Sequence, residues 1–450
     1  MRTRGTIRLA TRNSQLAMAQ STAVARALED RRYEVELVPV ETTGDQLREE
    51  LIHRLGKTGA FVRELDERVL AGECDAAVHS LKDVPTEGPA ELVTAAVPER
   101  AAPGDVLVTP DGSRLEELPA GAVVGTASLR RRAQLLGARP DLTVEPIRGN
   151  VDTRLEKVLA PALQAELATR RDASDETGAS VDGPDGTTDP DSEPGSDSEP
   201  GSDGEPGSDD ESDSDDEPAF ERTVEKWLDD RSTLERAALD RDVETHYDAI
   251  VLARAGLDRS GLEAEVETRS LPTATFVPAP GQGALAVTAV DGDVASGIQS
   301  VLDHPRSRVE VTVERTILAT LGGGCVAPLG IYAVVKGEYV HTAVSVLERD
   351  GSDAIAATRD LPIERHAETA REFAEELADR GARELIERAR RDDVGDGARL
   401  EPDETETDDP IAGDAVGNDS GAEDGVGNDS GTDDTVGNDS GADDAEGNDG

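Results

Sequence analysis

Cysteine is almost missing from this chain: Cys74 and Cys325 are the only two in 450 residues. Two thiols cannot build a disulfide framework or a cysteine metal cluster. Left unpaired, they fit a reducing cytoplasm. Lysine is nearly as scarce, with Lys57, Lys82, Lys157, Lys226 and Lys336 its only occurrences, so arginine supplies 41 of the 46 basic residues. No apolar run approaches the roughly 18 residues of a membrane span, and the N-terminus has no apolar signal-peptide core. A membrane is therefore not an expected partner. Neither a Walker lysine loop nor G-x-G-x-x-G is present, which leaves nucleotide binding without support. No close His/Cys/Asp spacing suggests a metal.

Acid is what the chain has in excess. The formal net charge is −51, and much of it is local. Residues 172–217 carry 19 acidic side chains and no Lys or Arg, and residues 392–450 carry 21 acidic side chains and one Arg. Setting these two segments aside leaves −12 for the rest. The sign of the charge argues against nucleic acid as a partner. Acid excess with arginine over lysine reads as a halophilic adaptation, because salt screens self-repulsion.

The order of elements is that of an α/β protein. Residues 6–11 read as a strand, an Ala-rich helix runs from Gln15 to about Arg31, and Val35–Val40 is a second strand. Residues 42–59 read as a loop, Ala60–Ala71 as an amphipathic helix, and Asp75–His79 as a short strand ending in Ser80-Leu81-Lys82-Asp83-Val84-Pro85. After a crossover near 98–104 the alternation restarts: a strand at Ala122–Gly125, a helix from Leu129, a strand at Leu142–Ile147 and a helix over 151–159. Such alternation predicts doubly wound sheets. The repeats within 172–217 are too polar to bury and should be disordered, so 161–240 reads as a surface-loop insertion, with a helix around Phe220–Leu239 at its exit. The pattern resumes with a buried strand at 247–253. From 306 the character changes: a helix over about 307–320, three β-rich runs (329–335, 338–347, 354–360) and one amphipathic helix over about 366–391. This is a small α+β unit. The expected division is 1–99 with 284–303, then 104–277, then 306–391, followed by a disordered acidic tail at 392–450 that repeats Val-Gly-Asn-Asp-Ser-Gly.

Two features carry chemistry. The stretch Leu321-Gly-Gly-Gly-Cys325-Val-Ala-Pro328 places a thiol behind three glycines, where a bulky partner can approach the backbone. The motif alone equally allows a tight turn with an inert buried thiol. The second feature is a set of four strand-to-helix junctions with polar or cationic residues: Arg12 and Ser14; Lys82 and Asp83; Thr126, Ser128, Arg130 and Arg131; Arg148 and Arg154. Ligands of open α/β sheets bind beyond the carboxyl ends of strands, helix N-termini favour anions, and arginine pairs bidentately with carboxylates. Together the junctions predict a cleft for a ligand with several carboxylates or phosphates. Singly, each arginine also reads as a surface charge, and Asp83 as a cap for the turn into Pro85.

The stretches IRLATRNSQLAMAQ (7–20), DAAVHSLKDVP (75–85), VVGTASLRRRAQL (123–135), IRGNVDTRLEKV (147–158), YDAIVLARAGLDR (247–259), PAPGQGAL (278–285) and GGGCVAPLG (322–330) follow one another in the order of a known family. In them the chain resembles porphobilinogen deaminase (hydroxymethylbilane synthase). That resemblance implies two doubly wound, periplasmic-binding-protein-like α/β domains and a small α+β C-terminal domain. It implies a cytoplasmic transferase of tetrapyrrole (haem, cobalamin) biosynthesis, monomeric and without a metal. The enzyme would join four porphobilinogen molecules head to tail, with release of ammonia, to give hydroxymethylbilane. Its dipyrromethane cofactor would be bound covalently through Cys325. Carried over by motif, Asp83 would be catalytic. Lys82, Thr126, Ser128, Arg130, Arg131, Arg148 and Gly149 would hold the cofactor, and Arg12, Ser14, Arg154 and Arg259 the substrate. Cys74 reads as packing. One departure concerns the family's Gly-Lys-Gly loop, which here reads Gly56-Lys57-Thr58-Gly59, displacing the lysine by one position. The rival reading is a non-catalytic anion-binding module of the same architecture, which would need the arginines but neither Asp83 nor the thiol.

Overall fold

The computed structural model describes residues 3–41, 60–178, 223–322 and 327–397. Cys325, Lys57, the rest of the acidic insertion and nearly all of the tail lie outside the described residues. In chain order the first elements are β1 (Gly5–Arg12), α1 (Gln15–Glu29), β2 (Tyr33–Val40), α2 (Ala60–Leu70), β3 (Ala76–Ser80) and β4 (Leu92–Ala96). There follow β5 (Asp105–Val108), β6 (Val123–Gly125), α3 (Leu129–Ala138), β7 (Thr143–Glu145), α4 (Val151–Gly178), α5 (Val224–Asp229), α6 (Thr233–Leu239), β8 (Ala249–Ala253), α7 (Arg254–Ser260) and β9 (Thr268–Ser270). The chain then gives β10 (Leu285–Val290), α8 (Asp293–Leu302), α9 (Pro305–Leu321), β11 (Leu329–Lys336), β12 (Tyr339–Leu347), β13 (Ala354–Pro362), α10 (His366–Asp379) and α11 (Ala382–Gly397).

These elements form two five-stranded sheets, ordered β2-β1-β3-β10-β4 and β7-β6-β8-β5-β9, and one three-stranded sheet, β11-β12-β13. The two larger sheets share one plan. Three parallel strands are followed by one antiparallel strand, β10 or β5, which carries the outermost strand on its far side. Both are doubly wound. In β1, Ile7 and Leu9 pack with α1 and α8 through Val24, Leu28 and Ile298, whereas Ala10 faces α2 through Leu65 and Val69. In the second sheet, Val124 and Val251 meet Leu135 of α3, while Ile250 and Leu252 meet Leu155 of α4 and Leu257 of α7. This alternation puts successive side chains on opposite faces, each covered by helices. The third sheet is antiparallel with its helices on one side: Ile331 and Val344 pack with Ile317 of α9, Phe373 of α10 and Leu385 of α11. Residues along β13 alternate between exposed and partly buried, as expected of a sheet with one wet face.

Three expectations need correction. The helix predicted over 151–159 continues to Gly178, through Pro161 and into the first residues of the acidic segment expected to be disordered. Strong helix formers follow Pro161, and Leu163 and Leu167 pack with Trp227, Leu228 and Ala238. The ends of the insertion therefore form a satellite core rather than a surface loop. The single helix predicted at its exit is two, the second opened by a capping box between Ser232 and Glu235. The helix predicted over 366–391 is also two, broken at Gly381, whose φ of +96° no helix accommodates. No helix among the described residues is long and apolar enough to cross a membrane.

Candidate active site

The Lys82-Asp83 junction is shaped by backbone packing. Buried β3 ends at Ser80, and Leu81–Asp83 form one 3₁₀ turn. The Leu81 amide donates to Ala284 O at 3.0 Å, and a Cβ on Gly281 would lie 3.2 Å from the Leu81 carbonyl carbon and the Lys82 nitrogen. Only glycine tolerates that approach at the φ of +73° found there. From the other side, Arg315 of α9 donates to the carbonyls of Val84 and Pro85 at 2.9 and 2.6 Å. Both Asp83 oxygens accept from Lys82 Nζ, at 2.7 and 2.9 Å, and both side chains remain about two-fifths exposed. The Val84 amide goes to Leu81 O rather than to the Asp83 carboxylate.

At the start of α3, Ser128 is the N-cap, its hydroxyl accepting from the Arg131 amide, while Thr126 Oγ1 accepts from the Ser128 amide at 3.2 Å. Arg130 and Arg131 turn inward. Asp105, fully buried, receives Arg130 Nη2 at 2.8 Å on one oxygen, and Arg131 Nε and Nη2 at 3.1 and 2.8 Å on the other. Gln282 Nε2 adds a bond at 2.8 Å. Burial alone would push the Asp105 carboxyl up, but the neighbouring Arg131 and Arg130 outweigh it and hold the pKa at about 2. Arg130 Nη1 also donates to Gln134 Oε1 and Val277 O, both at 2.8 Å. Arg130 Nε is buried and has no hydrogen-bond partner among the described residues.

The remaining candidates occupy other junctions of the two large sheets. Arg12 closes β1 and Ser14 caps α1 through the Ala17 amide. Gly149 takes φ +108°, and Arg154 Nε donates to its carbonyl at 2.9 Å. Burial, then the charge of Arg131, lowers the Arg154 pKa to about 10. Partly buried Arg148 lies in the loop before α4. Arg259 Nη2 donates to Gly283 O at 2.8 Å, and burial lowers its pKa. Cys74 is 2% exposed within the α2 core, where burial raises the thiol pKa.

A cavity of about 450 Å³ brings part of this set together: Lys82, Asp83, Ser128 and Arg130 line it with Ala327, just past the cysteine loop, and Arg390 of α11. Arg12, Ser14, Thr126, Arg131, Arg148, Gly149, Arg154 and Arg259 do not line it. Pro280, Leu318 and Leu329 give it apolar walls. A buried guanidinium donor without an acceptor, a serine hydroxyl and apolar walls fit a flat pyrrole that carries carboxylates. Asp105, Gln282, Arg315 and Arg390 escaped the sequence reading. The first could have been found as a lone acid opening an otherwise apolar strand; the others carry no local signal.

Known proteins match the chain along most of its length. Residues 7–169 and 235–296 fit the family model described as "Porphobilinogen deaminase, dipyromethane cofactor binding domain", and residues 308–379 fit "Porphobilinogen deaminase, C-terminal domain". A probable porphobilinogen deaminase of Halobacterium salinarum is 54% identical over 388 residues, covering 85% of this chain and 98% of that protein. A probable porphobilinogen deaminase of Methanococcoides burtonii is 35% identical, over 85% of this chain and 96% of its own. The porphobilinogen deaminase of Acidothermus cellulolyticus is 34% identical, over 85% and 91%. With both family models matched in order across the two large sheets and the small one, the chain belongs to the porphobilinogen deaminase family.

Proposed function

We propose that this chain is a transferase that joins four porphobilinogen molecules head to tail, releasing ammonia at each step, and frees hydroxymethylbilane at the end by hydrolysis, water breaking the bond to the cofactor and supplying the hydroxyl. The observation that carries the reading is the wall of the 450 Å³ cavity, where Asp83 and Lys82 face the same space as Arg130 and the edge of the Cys325 loop. Residues 1–99 with 284–303, 104–277 and 306–391 are its three domains. A dipyrromethane held through Cys325, with Ser128 and Arg130 beside it, would supply the pyrrole carbon that the first substrate joins.

The chain's own residues account for the remaining steps. When the C–N bond of the substrate's aminomethyl group breaks, positive charge spreads onto the pyrrole ring. The Asp83 carboxylate, which lines the cavity, would stabilise that charge as it develops. It then assists removal of the α-proton after the next ring has attacked. Lys82 holds Asp83 in place through both oxygens. The cationic junctions, Arg12, Arg148, Arg154 and Arg259 among them, orient the two carboxylates of each pyrrole unit.

One experiment on the purified protein tests the assignment. Intact mass should exceed the sequence mass by two pyrrole units in the parent, in Cys74→Ala and in Asp83→Asn, but not in Cys325→Ala. Asp83→Asn should turn over orders of magnitude more slowly, because an amide neither carries charge nor takes a proton. Near-parental turnover in Asp83→Asn would remove Asp83 from the mechanism. An adduct lost in the Cys74 variant and kept in the Cys325 variant would reverse the attachment site.

A further inference from the structure

We infer that Arg390, on the C-terminal helix α11, is a carboxylate-binding residue of the pyrrole cavity. This inference rests on the proposed function. Three cations line that cavity: Lys82, Arg130 and Arg390. Lys82 is paired with Asp83, and Arg130 with Asp105. Among the described residues, Arg390 has no carboxylate partner. Its one bond runs from Nη2 to the carbonyl of Gly322. A guanidinium has five N–H donors, so most of the fork remains for a ligand, and the side chain is exposed.

The anchor on Gly322 places that fork. Gly322 is the C-cap of α9, the last described residue before the loop of Cys325. The final carbonyls of a helix lack partners and favour cations. One heptad earlier on α11, Arg383 satisfies another of them, donating to Thr320 O at 2.9 Å. The two arginines share one face of α11, and both close the end of α9, but only Arg390 also borders the cavity. Its position lies beyond residue 379, where the match to the C-terminal family model ends. Its ligand chemistry is the carboxylate of a pyrrole acetate or propionate, which a planar fork can hold bidentately.

The test compares steady-state kinetics of Arg390→Gln, Arg390→Lys and Arg383→Gln in the holoenzyme. Glutamine keeps a polar hydrogen-bond donor but carries no charge. A charge-assisted bond lost from substrate binding should raise KM for porphobilinogen about tenfold in Arg390→Gln, with kcat nearly unchanged. Arg390→Lys should recover most of that loss, and Arg383→Gln should keep the parental KM. A KM within twofold of the parent in Arg390→Gln overturns the inference. So does an equal rise in the Arg383 variant, which would make both residues helix caps only. The proposed function stands or falls separately, on whether the parent makes hydroxymethylbilane.

Discussion

Asp105 is the residue on which two arginines of the site depend. It has no exposed side-chain surface, and both guanidiniums donate to it. Removing one partner of a buried ion pair typically costs about 3–5 kcal/mol, because the other charge is left unpaired. Asp105→Asn should destabilise the protein by about that much at pH 7. Its pKa of about 2 is depressed from an ordinary value of about 3.9. The stabilisation is therefore fully present above about pH 4 and lost as pH falls toward 2. Urea midpoints of parent and variant should converge as pH falls through that window; a gap constant from pH 7 to pH 3 would show that the charge of Asp105 contributes nothing. Arg130 and Arg131 thus serve the fold as well as any ligand. The sequence showed the two arginines but not the acid, since the carboxylate reaches them from a strand 25 residues away.

At the scale of elements, long periodic segments were legible and close approaches were not. The strands and helices bearing the motifs lie within a few residues of their expected positions, because their apolar spacing matches one period. The short β4, β5, β9 and β10 were not recognised as separate strands. Each has three to six residues, no shorter than β6 or β7, so length alone does not account for the difference. Nor does periodicity explain the glycines of PAPGQGAL. A Cβ on Gly283 would lie 2.5 Å from Ala101 O, backbone against backbone, at φ +85°. Gly283→Ala should therefore cost clearly more than about 1 kcal/mol, because the native conformation excludes the new side chain. Gly72→Ala is the control: φ is +71°, but nothing lies within 4 Å. If denaturant midpoints show Gly283→Ala to be no worse than Gly72→Ala, the contact has no energetic weight.

For the whole molecule, the insertion separates two kinds of chain. Deleting 172–217 removes only the end of α4 and residues outside the described structure. The remaining fold should survive, with circular dichroism and turnover at high salt close to the parent. Deleting the whole of 161–240 takes away Leu163, Trp227 and Ala238, and also Leu234, which packs in the core with Leu155, Val158 and Tyr247. That product should be insoluble or far less stable. If both deletions behave alike, the satellite core has no structural role. The sheet order has a consequence for how the molecule is made. Among the described residues the only hydrogen-bonded neighbour of β4 is β10, and β10 follows every strand of the second sheet in the chain. During synthesis the second sheet can close once β9 has left the ribosome. The first sheet, begun earlier, must wait with its β3 edge open and β4 unpaired until residues 285–290 emerge. Of the two large sheets, the one translated first is therefore the one completed second, and its exposed edge is where the nascent chain has most need of a chaperone.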